Sequence, residues 1–285
     1  MGEQSGILKF SCYDQPGIVA AVSGFLFNTE ANILSAQQFR DPETNRFFMR
    51  VEYSEPDSAG PKATEQQFQD LADKYHMDWS ISAKGQPKKV LMFVSKFDHC
   101  LGDLLYRMRI GELQMDVVGI ISNHPQSSLN LTTVGDIPFH HLPVTPETKP
   151  QQEARIWEIF EHTGAELAVL ARYMQILSDD LAGRLAGRCV NIHHSFLPGF
   201  KGARPYHQAH RRGVKMIGAT AHFVTSDLDE GPIITQDVEH VSHSDSPEDL
   251  VRKGRGIEQR VLSRAVTYLL DDRVILNGSK TVVFT

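Results

Sequence analysis

An asparagine and a histidine two positions apart are the residues of this sequence best suited to chemistry. Asn191 and His193 lie at the end of a predicted strand, where alternation sends both side chains to one face. Asp229 follows in a separate loop. An imidazole can move protons, an amide N–H can stabilise a developing oxyanion, and a carboxylate can orient the ring. The set is suited to acyl chemistry, although a buried histidine and an asparagine that satisfies a turn would give the same pattern.

The length and composition predict a folded, cytoplasmic protein of one large or two ordinary domains. The chain has 285 residues, of which 41% are hydrophobic, and a formal net charge of −6. Because neither sign of charge forms a long block, nucleic acid is not an expected partner. The three cysteines form no CxxC pair and are expected to stay reduced. The sequence begins without a secretory signal and no apolar run approaches a membrane span, so no membrane partner is expected.

Residues 1–84 are predicted to form a small α+β domain of the ferredoxin-like plan. The order of elements is βαββαβ, with strands at 7–12, 32–39, 47–53 and 77–82 and helices at 18–29 and 63–76. With its Asp-Gln-Pro-Gly turn at 14–17, this segment resembles the ACT domain, a small regulatory module. The resemblance implies that Asp14, Gly17 and Asn32 form an amino-acid effector site and that the protein is a homo-oligomer. An ACT-like domain that only associates chains is the alternative.

Residues 85–285 are predicted to form an α/β domain with a Rossmann-like, mostly parallel sheet. Continuous apolar strands alternate with helices, which is typical of a sheet covered on both faces. The predicted strands of the sheet are 90–95, 115–122, 130–133, 167–170, 189–194, 217–224 and 232–238. Chemistry-bearing residues at strand ends agree with the rule for open α/β sheets.

Four segments of the second domain resemble the formyltransferase family that uses 10-formyltetrahydrofolate. They are NIHHSFLPGFKG at 191–202, PY at 205–206, GATAHFV at 218–224 and LDEGPII at 228–234. The resemblance implies that Asn191, His193 and Asp229 are catalytic. It also implies supporting roles in the active site for His194, His222 and Ser195, although His194 could equally be a packing residue.

The resemblance extends to the loop that follows the predicted strand 167–170. Met174, Gln175, Ile176 and Leu177 match the loop by which the family binds the pterin ring of the folate. The folate is then the substrate, and no further cofactor is expected. The paired histidines, among them His140 and His141, show no spacing with an obvious third ligand, so no metal is expected either.

The sequence departs from amine-formylating relatives after the first strand of this domain. Transformylases for glycinamide ribonucleotide have a Gly-Ser-Asn turn there that cradles a phosphate, whereas residues 95–99 read SKFDH. A basic nucleic-acid domain like that of methionyl-tRNA transformylases is also not expected. With the ACT-like segment, the chain resembles the formyltetrahydrofolate deformylases. That resemblance implies hydrolysis to tetrahydrofolate and formate for one-carbon and purine metabolism. The alternatives are formyl transfer to an amine such as glycinamide ribonucleotide, and a non-enzymatic amino-acid sensor.

Overall fold

The chain folds into two compact units. A computed structural model describes residues 5–54, 61–130, 134–199 and 205–285, without the side chains of 61–64. The first unit comprises Met1–Gln86, Asp271–Asn277 and Thr281–Thr285, and the second comprises Pro87–Leu270 and Gly278–Lys280. The division falls close to the predicted one at residue 84. The end of the chain, which the sequence assigned to the second domain, belongs to the first unit.

The first unit is a four-stranded antiparallel sheet with two helices on one face. The elements are β1 (Ser5–Tyr13), α1 (Ile18–Asn28), β2 (Asn32–Asp41), β3 (Arg46–Ser54), α2 (Pro61–Tyr75) and β4 (Asp78–Ala83). The strand order is β2-β3-β1-β4. Leu8, Phe10 and Phe68 are fully buried in one apolar cluster with residues of α1 and α2. This is the predicted ferredoxin-like arrangement.

Buried polar contacts attach the end of the chain to this sheet. Strands β12 (Val274–Asn277) and β13 (Lys280–Val283) form a two-stranded sheet of their own. The Asp272 carboxylate accepts hydrogen bonds from Lys9 and from Ser82, both at 2.7 Å. The buried guanidinium of Arg50 donates to the carbonyl of Asp271 at 3.0 Å. The polar side chains that alternate with the apolar core residues of β1 and β3 therefore hold the C-terminal segment.

The second unit is a seven-stranded, mostly parallel sheet with helices on both faces. Its strands are β5 (Lys88–Val94), β6 (Met115–Ser122), β7 (Phe139–His141), β8 (Leu167–Leu170), β9 (Cys189–His193), β10 (Met216–Phe223) and β11 (Ile233–His240). Its helices are α3 (His99–Arg109), α4 (Lys149–Thr163), α5 (Asp179–Arg184), α6 (Pro205–Arg212) and α7 (Pro247–Leu270). The strand order is β11-β10-β9-β8-β5-β6-β7. The predicted fold class is confirmed.

Two features of this sheet were not predicted from the sequence. Asn130 lies outside any strand, and the rest of the strand predicted at 130–133 lies outside the described residues. The edge position beside β6 is taken instead by the three-residue strand β7. The other feature, which a mostly parallel sheet left open, is that β10 and β11 run antiparallel to their neighbours. This second feature places residues of β10 directly opposite residues of β9.

Asp272→Ala is expected to destabilise the first unit, because it leaves Lys9 and Ser82 without their carboxylate partner. Loss of a largely buried, hydrogen-bonded carboxylate costs about 2 kcal/mol. Urea unfolding of the full chain measures the change. Asp271→Ala is the matched control, since the carboxylate of that residue forms a largely exposed pair with Arg273, while Arg50 binds its carbonyl. Equal stability of the two variants would contradict the assigned role of Asp272.

Candidate active site

The predicted catalytic residues come together at the carboxyl end of β9. Asn191, His193 and Asp229 all line one cavity of ≈ 270 Å³ in the second unit. Asn191 and His193 share a face because they are two residues apart in the strand. Asp229 reaches the same cavity from the segment between β10 and β11. The structure therefore brings this predicted set together.

Asp229 fixes the orientation of the His193 ring. Nδ1 of His193 lies 3.1 Å from Oδ1 of Asp229. The bond from His193 is the main cause of a lowered pKa of Asp229, so the carboxyl group is ionised at neutral pH. A carboxylate can only accept, so Nδ1 carries the proton and Nε2 of the neutral ring carries a lone pair.

The backbone around Asp229 explains how the carboxylate reaches the ring. Asp229 has a left-handed backbone with φ +58°, a conformation that Asp tolerates better than most residues. Two residues later, a Cβ on Gly231 would lie 1.8 Å from the carbonyl oxygen of Phe223. Only glycine allows the chain to return this closely to β10. The spacing of Asp229 and Gly231 is thus a geometric requirement of the site.

His222 orients the amide of Asn191. The two residues are direct partners in the antiparallel pairing of β9 and β10, so their side chains lie on the same face. Nδ1 of His222 lies 2.9 Å from the carbonyl oxygen of Phe223, so this nitrogen is the donor. Its Nε2 then accepts from Nδ2 of Asn191 at 3.2 Å. Burial lowers the pKa of His222, which keeps this acceptor available.

Nε2 of His193 is left without a partner. This atom is buried and has no hydrogen-bond partner among the described residues. Unpaired buried polar atoms are uncommon and are concentrated at functional sites. A lone pair at this atom, next to an oriented amide, can take a proton from a small nucleophile inside the cavity.

The predicted folate loop forms another wall of the cavity. Met174, Gln175, Ile176 and Leu177 all line it, and the side chains of Met174 and Ile176 are exposed. The loop is fixed to the end of β5, because Ser95 Oγ accepts from the amide of Met174 at 2.9 Å. The amide of Ser95 in turn donates to the carbonyl of Arg172 at 3.2 Å. The loop therefore offers apolar surface on a fixed backbone.

Thr220 holds the segment that contains Ser195. Its hydroxyl donates to the carbonyl of Ser195 at 3.0 Å and accepts from the amide of Leu197 at 3.1 Å. Gln236 donates to the same hydroxyl at 2.9 Å. Ser195 is buried and is not among the residues that line the cavity. Residues 200–202 of the family motif lie outside the described residues.

Sequence reasoning missed a second set of polar groups beside the cavity. Glu258 of α7 is buried, and its carboxylate binds His99 at 2.8 Å and the hydroxyl of Tyr206 at 2.7 Å. Nε of Arg172, a cavity residue, lies 3.3 Å from the same carboxylate. The only signal in the sequence was an ionisable residue amid the apolar positions of a long helix.

The structure separates the residues of the predicted effector site. Asp14 and Gly17 lie just beyond the end of β1, where the Asp14 carboxylate binds Arg40 at 2.5 Å. Asn32 pairs with Ser54, which pairs with Ser5 at the other end of β1. A strand of nine residues therefore separates Asn32 from the other two. The three-residue site is not assembled within one chain.

The tautomer of His222 is expected to be the Nδ1–H form, neutral down to below the usual histidine pKa. The ¹⁵N chemical shifts of the full chain, labelled at histidine, measure both properties. Asn191→Ala should leave the tautomer unchanged, since the carbonyl of Phe223 fixes it. An Nε2–H signal for His222 in the unaltered chain would contradict the proposed orientation of Asn191.

Family models, sequence relatives and solved structures all match this chain. The formyl transferase family model matches residues 88–266 and the ACT domain model matches residues 6–71. A formyltetrahydrofolate deformylase of Corynebacterium sp. (strain P-1) is 50% identical, over 97% of this chain and 97% of the relative. The crystal structure of a formyltetrahydrofolate deformylase from Burkholderia mallei is 49% identical, with a TM-score of 0.91, over 99% of this chain and 100% of that one.

A transformylase is similar over the second unit at lower identity. The crystal structure of glycinamide ribonucleotide transformylase 1 from Symbiobacterium toebii is 27% identical, with a TM-score of 0.63, over 71% of this chain and 97% of that one. The deformylases match both domains and nearly the whole length. The chain belongs to the formyltetrahydrofolate deformylase family.

Proposed function

We propose that the protein hydrolyses 10-formyltetrahydrofolate to tetrahydrofolate and formate, the latter for one-carbon and purine metabolism. The unpartnered Nε2 of His193, buried in a cavity beside the Asn191 amide, carries this proposal. The family membership supports the same substrate. The three free cysteines favour the cytoplasm as the site of the reaction. Among the described residues, no helix is both long and apolar enough to cross a membrane.

The flat pterin ring is the part of the substrate that we place in the cavity. Backbone groups of Met174, Gln175, Ile176 and Leu177 can pair with the donors and acceptors of the pterin, and the apolar side chains among them can cover its face. A folate with its pterin bound there would present the formyl group on N10 to the end of β9, where Asn191 and His193 lie.

The proposed reaction adds water to the formyl carbon. Nε2 of His193 takes a proton as the water oxygen bonds to the carbon, and the carbonyl oxygen becomes an oxyanion. The Asn191 amide, already oriented by His222, stabilises that oxyanion. The bond to the folate nitrogen then breaks, and the imidazolium returns its proton to that nitrogen. Asp229 stabilises the imidazolium while it exists.

The contacts of His99 favour water over an amine as the acceptor of the formyl group. At the start of α3, this histidine is bound to the buried Glu258 rather than available to a phosphate. The segment between β5 and α3 contains no glycine, so its backbone amides are not arranged as a phosphate cradle. An acceptor such as glycinamide ribonucleotide would lack its phosphate contacts.

We propose that hydrolysis needs no metal or organic cofactor. His99, Cys100 and Glu258 have donor atoms close enough to share an ion. The carboxylate of this group already faces the guanidinium of Arg172 and the hydroxyl of Tyr206. A positive ion would meet a fixed positive charge there.

Formate release is the direct test of the function. Purified protein incubated with 10-formyltetrahydrofolate and a chelator is expected to release formate without any added amine. Strict dependence on an amine would favour the transferase, and neither activity would favour the amino-acid sensor. A loss of activity to the chelator that one metal restores would contradict the cofactor proposal alone.

Asn191→Ala is expected to lower kcat by about two to three powers of ten, because one oxyanion donor is lost. Formate release under substrate saturation measures the change, and circular dichroism checks the fold. Asn28→Ala, an exposed asparagine at the end of α1, is the matched control and should retain full activity. Normal hydrolysis by the Asn191 variant would overturn the assigned mechanism.

We propose that the first unit associates with a second copy through β2. This strand is at the edge of its sheet and exposes Ile33, Leu34 and Phe39. Unpaired strand edges with apolar side chains favour pairing with another chain. A solution mass above that of one chain, reduced by Leu34→Glu, is the expected result; a monomer would contradict the proposal.

The proposed effector site within the first unit also needs a test. We propose that an amino acid binds at the Gly17 turn. The other two predicted residues are not arranged around it within one chain, because the Asp14 carboxylate is bound to Arg40 and Asn32 is distant. A titration of formate release with single amino acids tests it. Unchanged hydrolysis with every amino acid would favour an ACT domain that only associates chains.

A further inference from the structure

Arg172 combines a disfavoured backbone conformation with a buried charge. Its φ is +68°, in the left-handed region that favours glycine. Its side chain is only 9% exposed. A residue with a Cβ holds such a conformation only when surrounding contacts require it, and such residues are concentrated at functional sites. The contacts of the side chain therefore point to its role.

The partner of Arg172 is a carboxylate buried in α7. Glu258 faces Nε of Arg172 at 3.3 Å, His99 at 2.8 Å and the Tyr206 hydroxyl at 2.7 Å. Burial raises the pKa of Glu258, but these three groups together lower it below its usual value. Glu258 is therefore a charged carboxylate that needs its cation, since a buried charge without a partner is strongly unfavourable.

The pair of Arg172 and Glu258 is connected to His193 through the rings of Tyr206 and His194. The ring of Tyr206 lies edge-on to the ring of His194, with 6.4 Å between centroids. The ring of His194 lies 5.2 Å from that of His193, and both line the cavity with Arg172. Gly254 of α7 makes room for Tyr206, because a Cβ there would lie 2.1 Å from the tyrosine ring.

Burial, together with the charge of Arg172, keeps the ring of His194 neutral. Burial, and then Arg172, lower the pKa of His194 to about 4. His193 acts in the same direction, whereas Glu258 and Asp229 act in the opposite one. At neutral pH His194 is therefore an imidazole that can both donate and accept one hydrogen bond.

We propose that Arg172 and Glu258 are a buried positioning pair that holds His194 beside His193, where His194 orients the attacking water. The inference rests on the proposed hydrolysis. Water held by one imidazole presents its oxygen to the formyl carbon while the other, His193, takes the proton. Arg172 and Glu258 act through His194 and touch no reacting atom.

The titration of His194 tests the pair directly. In full-length chain labelled with ¹⁵N at histidine, and assigned with His194→Gln, Glu258→Gln is expected to lower the pKa of His194. The double variant R172Q/E258Q is expected to raise it, because Arg172 has the larger influence of the two. Both variants should lower kcat about 10- to 100-fold, as expected for a misplaced reacting group, with KM changed less than about twofold.

A control variant and a further test variant distinguish loss of these contacts from misfolding. R155Q/E158Q removes an exposed arginine–glutamate pair of α4 and should leave both kcat and the His194 titration unchanged. Tyr206→Phe keeps the ring and removes only the hydroxyl that binds Glu258, and it should lower kcat in a folded protein.

Two results would overturn the positioning pair. One is a His194 titration in R172Q/E258Q equal to that of the unaltered chain, and the other is full kcat in Tyr206→Phe. Because the titration needs no turnover, it stays informative if the unaltered chain releases no formate. That last result would overturn the proposed function instead.

Discussion

The contact between Asp229 and His193 is the constraint on which the site depends. A carboxylate at 3.1 Å from Nδ1 decides which nitrogen of the ring carries the proton, and so leaves the lone pair of Nε2 in the cavity. Most other features of the site bring these two groups together. Gly231 lets the chain return against β10, and the left-handed backbone of Asp229 turns its side chain back toward β9. Local backbone geometry therefore determines which nitrogen of the neutral ring carries the proton.

The change from parallel to antiparallel pairing between β9 and β10 matters for the same reason. In an antiparallel pair, side chains directly opposite each other lie close together on one face. His222 can therefore bind the amide of Asn191 from the neighbouring strand. The carboxyl end of the parallel strand β8 leads into the predicted folate loop, and Ser95 at the end of β5 anchors it. The cavity lies where the two kinds of pairing meet, so the predicted folate loop and the predicted catalytic residues come from different parts of the sheet.

The sequence predicted the fold class and the residues that meet at the end of β9 because both depend on local patterns. Asn191 and His193 are two apart in one strand, and apolar runs identify β5, β6 and β8. The three-residue strand β7 was missed because it is short and includes two histidines, without an apolar run. Asn32 was grouped with Gly17, although strand register places them at opposite ends of a sheet. Register is a property of pairing, and a single strand does not encode it.

Glu258 was missed for a related physical reason. It lies amid the apolar positions of α7, but the sequence of the helix does not show which groups would balance a carboxylate buried there. Its burial follows from Arg172, which is 86 positions away, and from the space that Gly254 leaves for Tyr206. The two residues come into contact only in the folded chain. Residues proposed to react can be recognised by type and spacing, whereas the contacts of Glu258 depend on the fold. The proposed choice of water over an amine uses both kinds of information: the SKFDH segment at 95–99, which the sequence shows, and the bond from His99 to Glu258, which only the structure shows.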